Sequence, residues 1–291
     1  MNYTGLGVAL VTPFDNTGKI DYDSLKRLAD RAVNGGVDYL VLFGTTGETP
    51  TISLSEKQEA LKIMAAHVGG AKPIVLGFGG NNTTKVIEEM NLFDFTGADS
   101  ILSVIPYYNK PNQDGMYMHY KTISEASPLP VIMYNVPGRT VVNMEAATSI
   151  RIANECSNIY CIKEATENLD QVMDLLNDKP EKLTVVAGDD ALALPFIALG
   201  ASGVISVIAN AYPKDFSTLV HAAMEGDFEK ARHYHYKLLP VMHSLLTAGN
   251  PSGIKAVLHI QGMIEHVFRL PVYPVGQEKM NELLEIVKKI D

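Results

Sequence analysis

Cysteine is scarce in this chain: Cys156 and Cys161 are the only two in 291 residues. Two are too few for a disulfide framework or a thiolate zinc site. Cations are in deficit as well, with 24 lysines and arginines against 33 acids and a net charge of −9. That balance argues against a general nucleic-acid binder or a protein of anionic membrane surfaces, since both need a dominant basic face. It leaves room for a small anionic substrate, because one buried arginine outweighs a distant field. No apolar run approaches the roughly 18 residues of a membrane span. Met1–Pro13 lacks the basic and apolar regions of a secretory leader. The expectation is a soluble, cytoplasmic protein with reduced thiols. Low-complexity segments and linkers are also missing, and 46% hydrophobic residues are enough for a large core.

Length leaves two architectures open. At about 150 residues per domain the chain holds two domains, whereas an α/β barrel uses about 250 residues as one. A pattern repeated from the start to about residue 210 separates them. Short apolar runs alternate with amphipathic stretches: Leu6–Val11, Tyr39–Phe43, Pro73–Leu76, Ser100–Ile105, Val131–Tyr134, Ile159–Ile162, Leu183–Ala187 and Gly203–Val207. Near-continuous apolar character marks parallel strands buried on both faces. The stretches between keep the helical period, as Leu25, Leu28, Ala29 and Ala32 show at i, i+3, i+4 and i+7. Ser53-Leu54-Ser55-Glu56 has the form of a capping box opening the next helix.

A dinucleotide-binding sheet would need G-x-G-x-x-G after its first strand. Gly5-Leu6-Gly7 comes before that strand, and Gly77-Phe78-Gly79-Gly80 has the wrong spacing, so tight turning is expected of the latter. Eight strand–helix units therefore predict an α/β fold, a (β/α)8 TIM barrel, over residues 1–225. Strand signals stop near residue 212. Pro213–Met224, Asp227–Leu246, Ile254–Gln261 and Gln277–Ile290 read as helices, and residues 226–291 as a helical extension packed on the barrel.

In such barrels the carboxyl ends of the strands converge on one mouth, where function gathers. The second strand delivers Gly44-Thr45-Thr46-Gly47-Glu48 and the fourth Pro106-Tyr107-Tyr108-Asn109. The fifth delivers Tyr134 through Thr140, the sixth Lys163-Glu164, the seventh Gly188-Asp189-Asp190, and the eighth runs through Ile205-Ser206. Lys163 continues an apolar strand, and period two puts it on the face of Ile159 and Cys161. A lysine inside a barrel is paired or used. An ordinary lysine, with a pKa near 10.4, offers almost no free amine at neutral pH, whereas a desolvated one becomes a nucleophile able to form a Schiff base with a carbonyl. An ion pair with Glu164 or with an acid of a neighbouring strand fits the strand pattern equally well.

Tyr134 lies one strand earlier at the same level. Its phenol suits proton transfer to and from a carbinolamine, with Thr45 as relay; an ordinary half-buried aromatic with a satisfied hydroxyl fits too. Arg139, after Pro137-Gly138, reads either as a fork for a carboxylate or as a solvated rim charge. The histidines include no H-x-x-x-H pair beside an acid, and His233 and His235 diverge on a helix, so no zinc site is expected. Asp189 and Asp190 stand where phosphate-binding barrels place glycine-rich turns and would repel a phosphate. Cys161 reads as a small core residue.

The ordered set Gly44-Thr45-Thr46-Gly47-Glu48, Tyr107-Tyr108-Asn109-Lys110-Pro111, Tyr134-Asn135-Val136-Pro137-Gly138-Arg139-Thr140, Ile162-Lys163-Glu164-Ala165, Gly188-Asp189-Asp190 and Gly203-Val204-Ile205-Ser206-Val207 closely resembles the dihydrodipicolinate synthases. The likeness runs from about residue 3 to about residue 275. It implies condensation of pyruvate with L-aspartate 4-semialdehyde, the first committed step towards diaminopimelate and lysine. Lys163 then corresponds to the Schiff-base lysine and Tyr134 to the proton donor and acceptor. Thr45 and Tyr108 complete a relay, Tyr108 entering from a neighbouring subunit. Thr46 holds the pyruvate carboxylate, and main-chain groups near Gly188 and Ile205 line the pocket. The resemblance implies no metal or organic cofactor, since the lysine imine is itself the electron sink, and it implies a homo-oligomer, a tetramer formed as a dimer of dimers.

N-acetylneuraminate lyases and related keto-sugar-acid aldolases share the lysine and the tyrosine, and are the alternative. They typically lack an arginine after the Pro-Gly pair because their second substrate is a polyol, so Arg139 favours the semialdehyde. A catalytically silent ligand-binding relative would be expected to have lost Lys163 or Tyr134. Two departures from the family pattern stand out. Lysine-inhibited members carry histidines and a glutamate where this chain has Leu54, Lys57 and Lys85, which predicts weak or absent lysine feedback. The tail has Asn250-Pro251-Ser252-Gly253-Ile254-Lys255 in place of Asn-Pro-Ile-Pro-Val-Lys, a change expected to disturb tail packing rather than the site.

Overall fold

The computed structural model describes residues 3–290. Eight parallel strands pair in chain order and close on themselves: β1 (Gly5–Ala9), β2 (Tyr39–Leu42), β3 (Ile74–Gly77), β4 (Ser100–Val104), β5 (Val131–Asn135), β6 (Ile159–Glu164), β7 (Thr184–Ala187) and β8 (Gly203–Ser206). All eight expected strands are present, with no end shifted by more than two residues. The helices are α1 (Tyr22–Asn34), α2 (Leu54–Val68), α3 (Thr83–Leu92), α4 (Gln113–Ala126), α5 (Pro137–Thr140), α6 (Ala146–Glu155), α7 (Leu169–Asp178), α8 (Ala193–Ala198), α9 (Pro213–Met224), α10 (Phe228–Ala248), α11 (Ser252–Ile260) and α12 (Gln277–Ile290). Among the described residues no helix is long and apolar enough to cross a membrane.

Two apolar layers hold the barrel. Leu25, Leu28, Ala29 and Ala32 of α1 are buried against the outer face of the sheet, where the period of 3.6 put them. Each fully buried leucine contributes about 2 kcal/mol. The second layer fills the barrel itself, with Tyr39, Val75, Leu102, Ile132, Cys161 and Val186 from successive strands. At the start of α2 the Ser53 side chain accepts from Glu56 N while the Glu56 carboxylate accepts from Ser53 N, the reciprocal pair read from the sequence.

The structure corrects two expectations about the strands. Strict alternation put Ile159 on the face of Lys163, but Val131 pairs with Ile159 and Ile132 with Cys161, so the register slips at Tyr160. This β-bulge reverses the phase: Ile159 packs outward among the helices, while Cys161 faces the barrel interior and Lys163 opens onto the mouth above it. The Gly77–Gly80 stretch is not a tight turn. Gly77 ends β3, and a Cβ there would lie 1.9 Å from Phe43 O; the glycine is needed for close backbone approach. The altered tail motif packs closely, since a Cβ on Gly253 would meet Ala248 Cβ at 2.8 Å. There α11 begins at Ser252, two residues before the expected Ile254.

Candidate active site

A cavity of about 750 Å³ opens at the carboxyl ends of the strands, within the range of small-molecule sites. Lys163 and Tyr134 rise into it from the paired positions of β6 and β5. They are 4% and 6% exposed, and Lys163 Nζ lies 4.4 Å from the centroid of the Tyr134 ring. Glycine at 188 makes room for the lysine: a Cβ there would lie 3.1 Å from Lys163 Cε and 2.6 Å from Ala165 Cβ.

The ion-pair alternative for Lys163 fails on geometry. Glu164 points to the other side of the sheet, where both its oxygens accept from Asn135 Nδ2 at 3.0 Å and Oε1 accepts from Thr166 N at 2.8 Å. Among the described residues Lys163 forms no ion pair. Asp189 and Asp190 are also engaged. Asp189 Oδ1 accepts from Ala191 N and Leu192 N, and Asp190 accepts from Val207 N and Ile208 N. They line the same cavity but cap loop backbone, and neither forms an ion pair with the amine.

Burial pushes the Glu164 carboxyl up to about 7. Its folded-state value is raised, so the folded protein holds the extra proton. This contribution to stability is complete below about 4.5 and is lost as pH rises through about 7. Glu164→Gln is therefore expected to flatten the fall in stability between these limits, which for one group is at most about 1.4 kcal/mol per pH unit. Denaturant melts across that window check it; an unchanged slope counts against the assignment.

Thr45 and Thr46 also line the cavity. They sit on a 3-10 turn, Thr45–Gly47, flanked by Phe43 and Glu48, both in the left-handed region at φ 56° and 54°. Such strained non-glycine backbone gathers at functional sites. Arg139 belongs to the single helical turn α5, with Pro137 at its first position. Its side chain is exposed at the rim, with Nη2 3.5 Å from Asn250 O.

Six of the eight expected residues thus meet in one cavity: Lys163, Tyr134, Thr45, Thr46, Arg139 and Gly188. Ile205 is buried in the barrel interior and does not itself line the cavity. Tyr108 is 83% exposed, at φ 76°, and lies outside the cavity of its own chain. Sequence reasoning missed Met242, Leu245, Leu246 and Asn250, which bring α10 and the following loop over the mouth. Their only local signal was the Asn250-Pro251 break between two amphipathic stretches. Among the described residues no group of three or more His, Cys, Asp and Glu is placed to hold a metal ion.

A sequence profile of the dihydrodipicolinate synthetase family matches residues 2–290. A 4-hydroxy-tetrahydrodipicolinate synthase of Parabacteroides distasonis is 47% identical over 287 residues, 98% of this chain and 97% of its own. The crystal structure of dihydrodipicolinate synthase from Aquifex aeolicus superposes with a TM-score of 0.95 at 39% identity, covering 99% of this chain and 98% of that one. A chloride-inhibited dihydrodipicolinate synthase from Acinetobacter baumannii, complexed with pyruvate, gives 0.95 at 37% identity and 99% coverage of both chains.

Proposed function

The chain belongs to the dihydrodipicolinate synthetase family, and from that premise we propose how its barrel mouth performs the reaction. The enzyme is a lyase of the class I aldolase type that condenses pyruvate with L-aspartate 4-semialdehyde to 4-hydroxy-tetrahydrodipicolinate. The observation that carries the assignment of roles is the pairing of Lys163 with Tyr134 at one level of the barrel mouth, with no ion pair on the amine among the described residues.

The Lys163 amine attacks C2 of pyruvate, and the carbinolamine loses water to leave an imine. Tyr134 delivers the proton that leaves with the water, and Thr45 passes protons onward. Loss of a proton from C3 gives the enamine, with the imine nitrogen taking up the electron pair. The enamine carbon attacks the aldehyde, whose oxygen becomes a hydroxyl. The semialdehyde's own amine then attacks C2 and expels the Lys163 amine, closing the ring. Thr46 holds the pyruvate carboxylate, and the main chain at Gly188 and Ile205 shapes the pocket. The complex of the Acinetobacter baumannii relative with pyruvate supports pyruvate as the first substrate.

Arg139 takes the carboxylate of the semialdehyde. Its guanidinium stands at the rim of the same cavity, and the planar fork matches a carboxylate in two bonds. Arg139→Gln is expected to raise KM for the semialdehyde by about tenfold to a hundredfold, with trapping of pyruvate unchanged. Equal losses for both substrates would reject the role.

Residues 1–225 are the catalytic barrel and 226–291 a helical extension packed on it, a reading supported by the α10 residues that line the cavity. The working unit is a homo-oligomer, a tetramer built as a dimer of dimers. Its support is the exposed Tyr108, which lies outside its own cavity and is free to enter a partner's. Cytoplasmic placement is supported by two free, buried cysteines.

At the positions of the feedback site, Lys57 Nζ lies 5.6 Å above the Phe78 ring and Lys85 pairs with Glu89 at 3.8 Å. Two cations there repel a lysine ammonium. A lysine titration is expected to leave activity unchanged through millimolar concentrations, and strong inhibition at modest lysine overturns this.

The assignment is tested by incubating the enzyme with pyruvate, reducing with borohydride and locating the adduct by mass spectrometry. Turnover with the semialdehyde and with N-acetylneuraminate is then compared. The expected result is an adduct on Lys163 and turnover of the semialdehyde alone. No adduct, or turnover of the sugar acid alone, rejects it.

A further inference from the structure

The Thr45–Thr46 turn is held from behind by residues some two hundred positions away. Lys255 Nζ donates to Glu48 Oε1 at 2.6 Å, and both side chains are fully buried. The same ammonium donates to Thr12 O at 3.1 Å, and Thr12 Oγ1 donates to Gly47 O at 2.7 Å. Glu48 Oε2 accepts from Arg269 N at 3.2 Å. Phe14 and Phe268 face the ammonium with ring centroids at 4.4 and 4.6 Å. Asn250 Nδ2 donates to Thr46 Oγ1 at 3.0 Å. Three consecutive residues, Thr46, Gly47 and Glu48, are therefore each fastened by a separate bond.

Stability is a poor reason to retain such a pair. The cost of desolvating two charges offsets most of their attraction, and apolar replacements of similar volume are often neutral or better. Geometry is a better reason. Glu48 occupies a left-handed conformation that a non-glycine residue keeps only when its surroundings impose it. The ion pair imposes it, and thereby orients the turn. The Asn250 bond adds direction: with its oxygen already accepting, the Thr46 hydroxyl keeps its own proton for an acceptor in the cavity, as a carboxylate is.

We infer that Lys255 and Glu48 are positioning residues for pyruvate: their ion pair sets the height of Thr46 in the mouth, so the C-terminal extension is a working part of the pyruvate pocket. This rests on the pyruvate reading of the site. Neither residue lines the cavity, so their effect passes through Thr46.

The test is the full-length double variant Lys255→Met, Glu48→Gln, which removes both charges together and leaves neither alone in the core. Half-saturation by pyruvate in borohydride trapping is read beside KM for the semialdehyde, after a thermal melt confirms folding. Pyruvate half-saturation is expected to rise by on the order of tenfold to a hundredfold. KM for the semialdehyde should stay within about twofold. Unchanged pyruvate half-saturation, or equal losses for both substrates, overturns the inference. A wild type that traps no pyruvate overturns the site reading and this inference with it. If the double variant does not fold, Thr12→Val reads the same brace without touching a charge. It should move pyruvate half-saturation in the same direction, and no movement overturns the inference.

Discussion

Lys163→Ala is expected to lower kcat/KM by at least about 10⁴-fold and to abolish the borohydride adduct while the fold survives. The residue is buried in the mouth, so alanine leaves a space there, but one continuous with a cavity of about 750 Å³. The stability loss should therefore be smaller than for a leucine of the outer layer. Among the described residues no other lysine lines the cavity, so none stands ready to replace the amine. Exogenous amines give a second readout: partial rescue by a small primary amine would show that the nucleophile alone was lost. An adduct on another lysine with activity retained would reject the mechanism.

Tyr134→Phe is expected to cost about 10²- to 10⁴-fold in kcat, the usual worth of a positioned acid–base group. The ring remains, so its packing inside the barrel and its face towards Lys163 Nζ are kept. The backbone of residue 134 is held independently, because its N–H donates to Tyr120 Oη, which in turn donates to Ser103 O. Folding should thus be close to unchanged, and the loss should appear in both imine formation and turnover. Single-turnover trapping with pyruvate separates these steps. A variant that forms the imine at the wild-type rate and fails only later would confine Tyr134 to carbon–carbon bond formation. Full activity would remove it from the chemistry.

The apolar runs that became β1 to β8 were visible because a strand buried on both faces is apolar throughout. The helices were visible because Leu25, Leu28, Ala29 and Ala32 repeat at the helical period. Once the barrel was in view, its topology placed six of the eight candidates: strand ends meet at one mouth, so Lys163, Tyr134, Thr45, Thr46, Arg139 and Gly188 had to be neighbours. The face of Ile159 was misread because a bulge leaves no periodic trace; it arises where β6 fits β5, at Tyr160. Gly77 was misread for a related reason. Glycine marks both turning and close approach, and only the Phe43 carbonyl against it tells which.

By itself, then, the sequence determined the barrel and the chemical identity of its mouth, because both follow from local periodicity and from residue types at strand ends. Only the tertiary structure decided which carboxylates are free. Glu164, Asp189 and Asp190 look alike in sequence, yet all three accept hydrogen bonds from backbone or amide donors and, among the described residues, none pairs with the amine. Only the tertiary structure brings Asn250 to the mouth and Lys255 onto Glu48, 207 residues apart. Contacts of that span leave no mark on any short stretch of chain; they exist only once the barrel has closed and the last helices have packed across it.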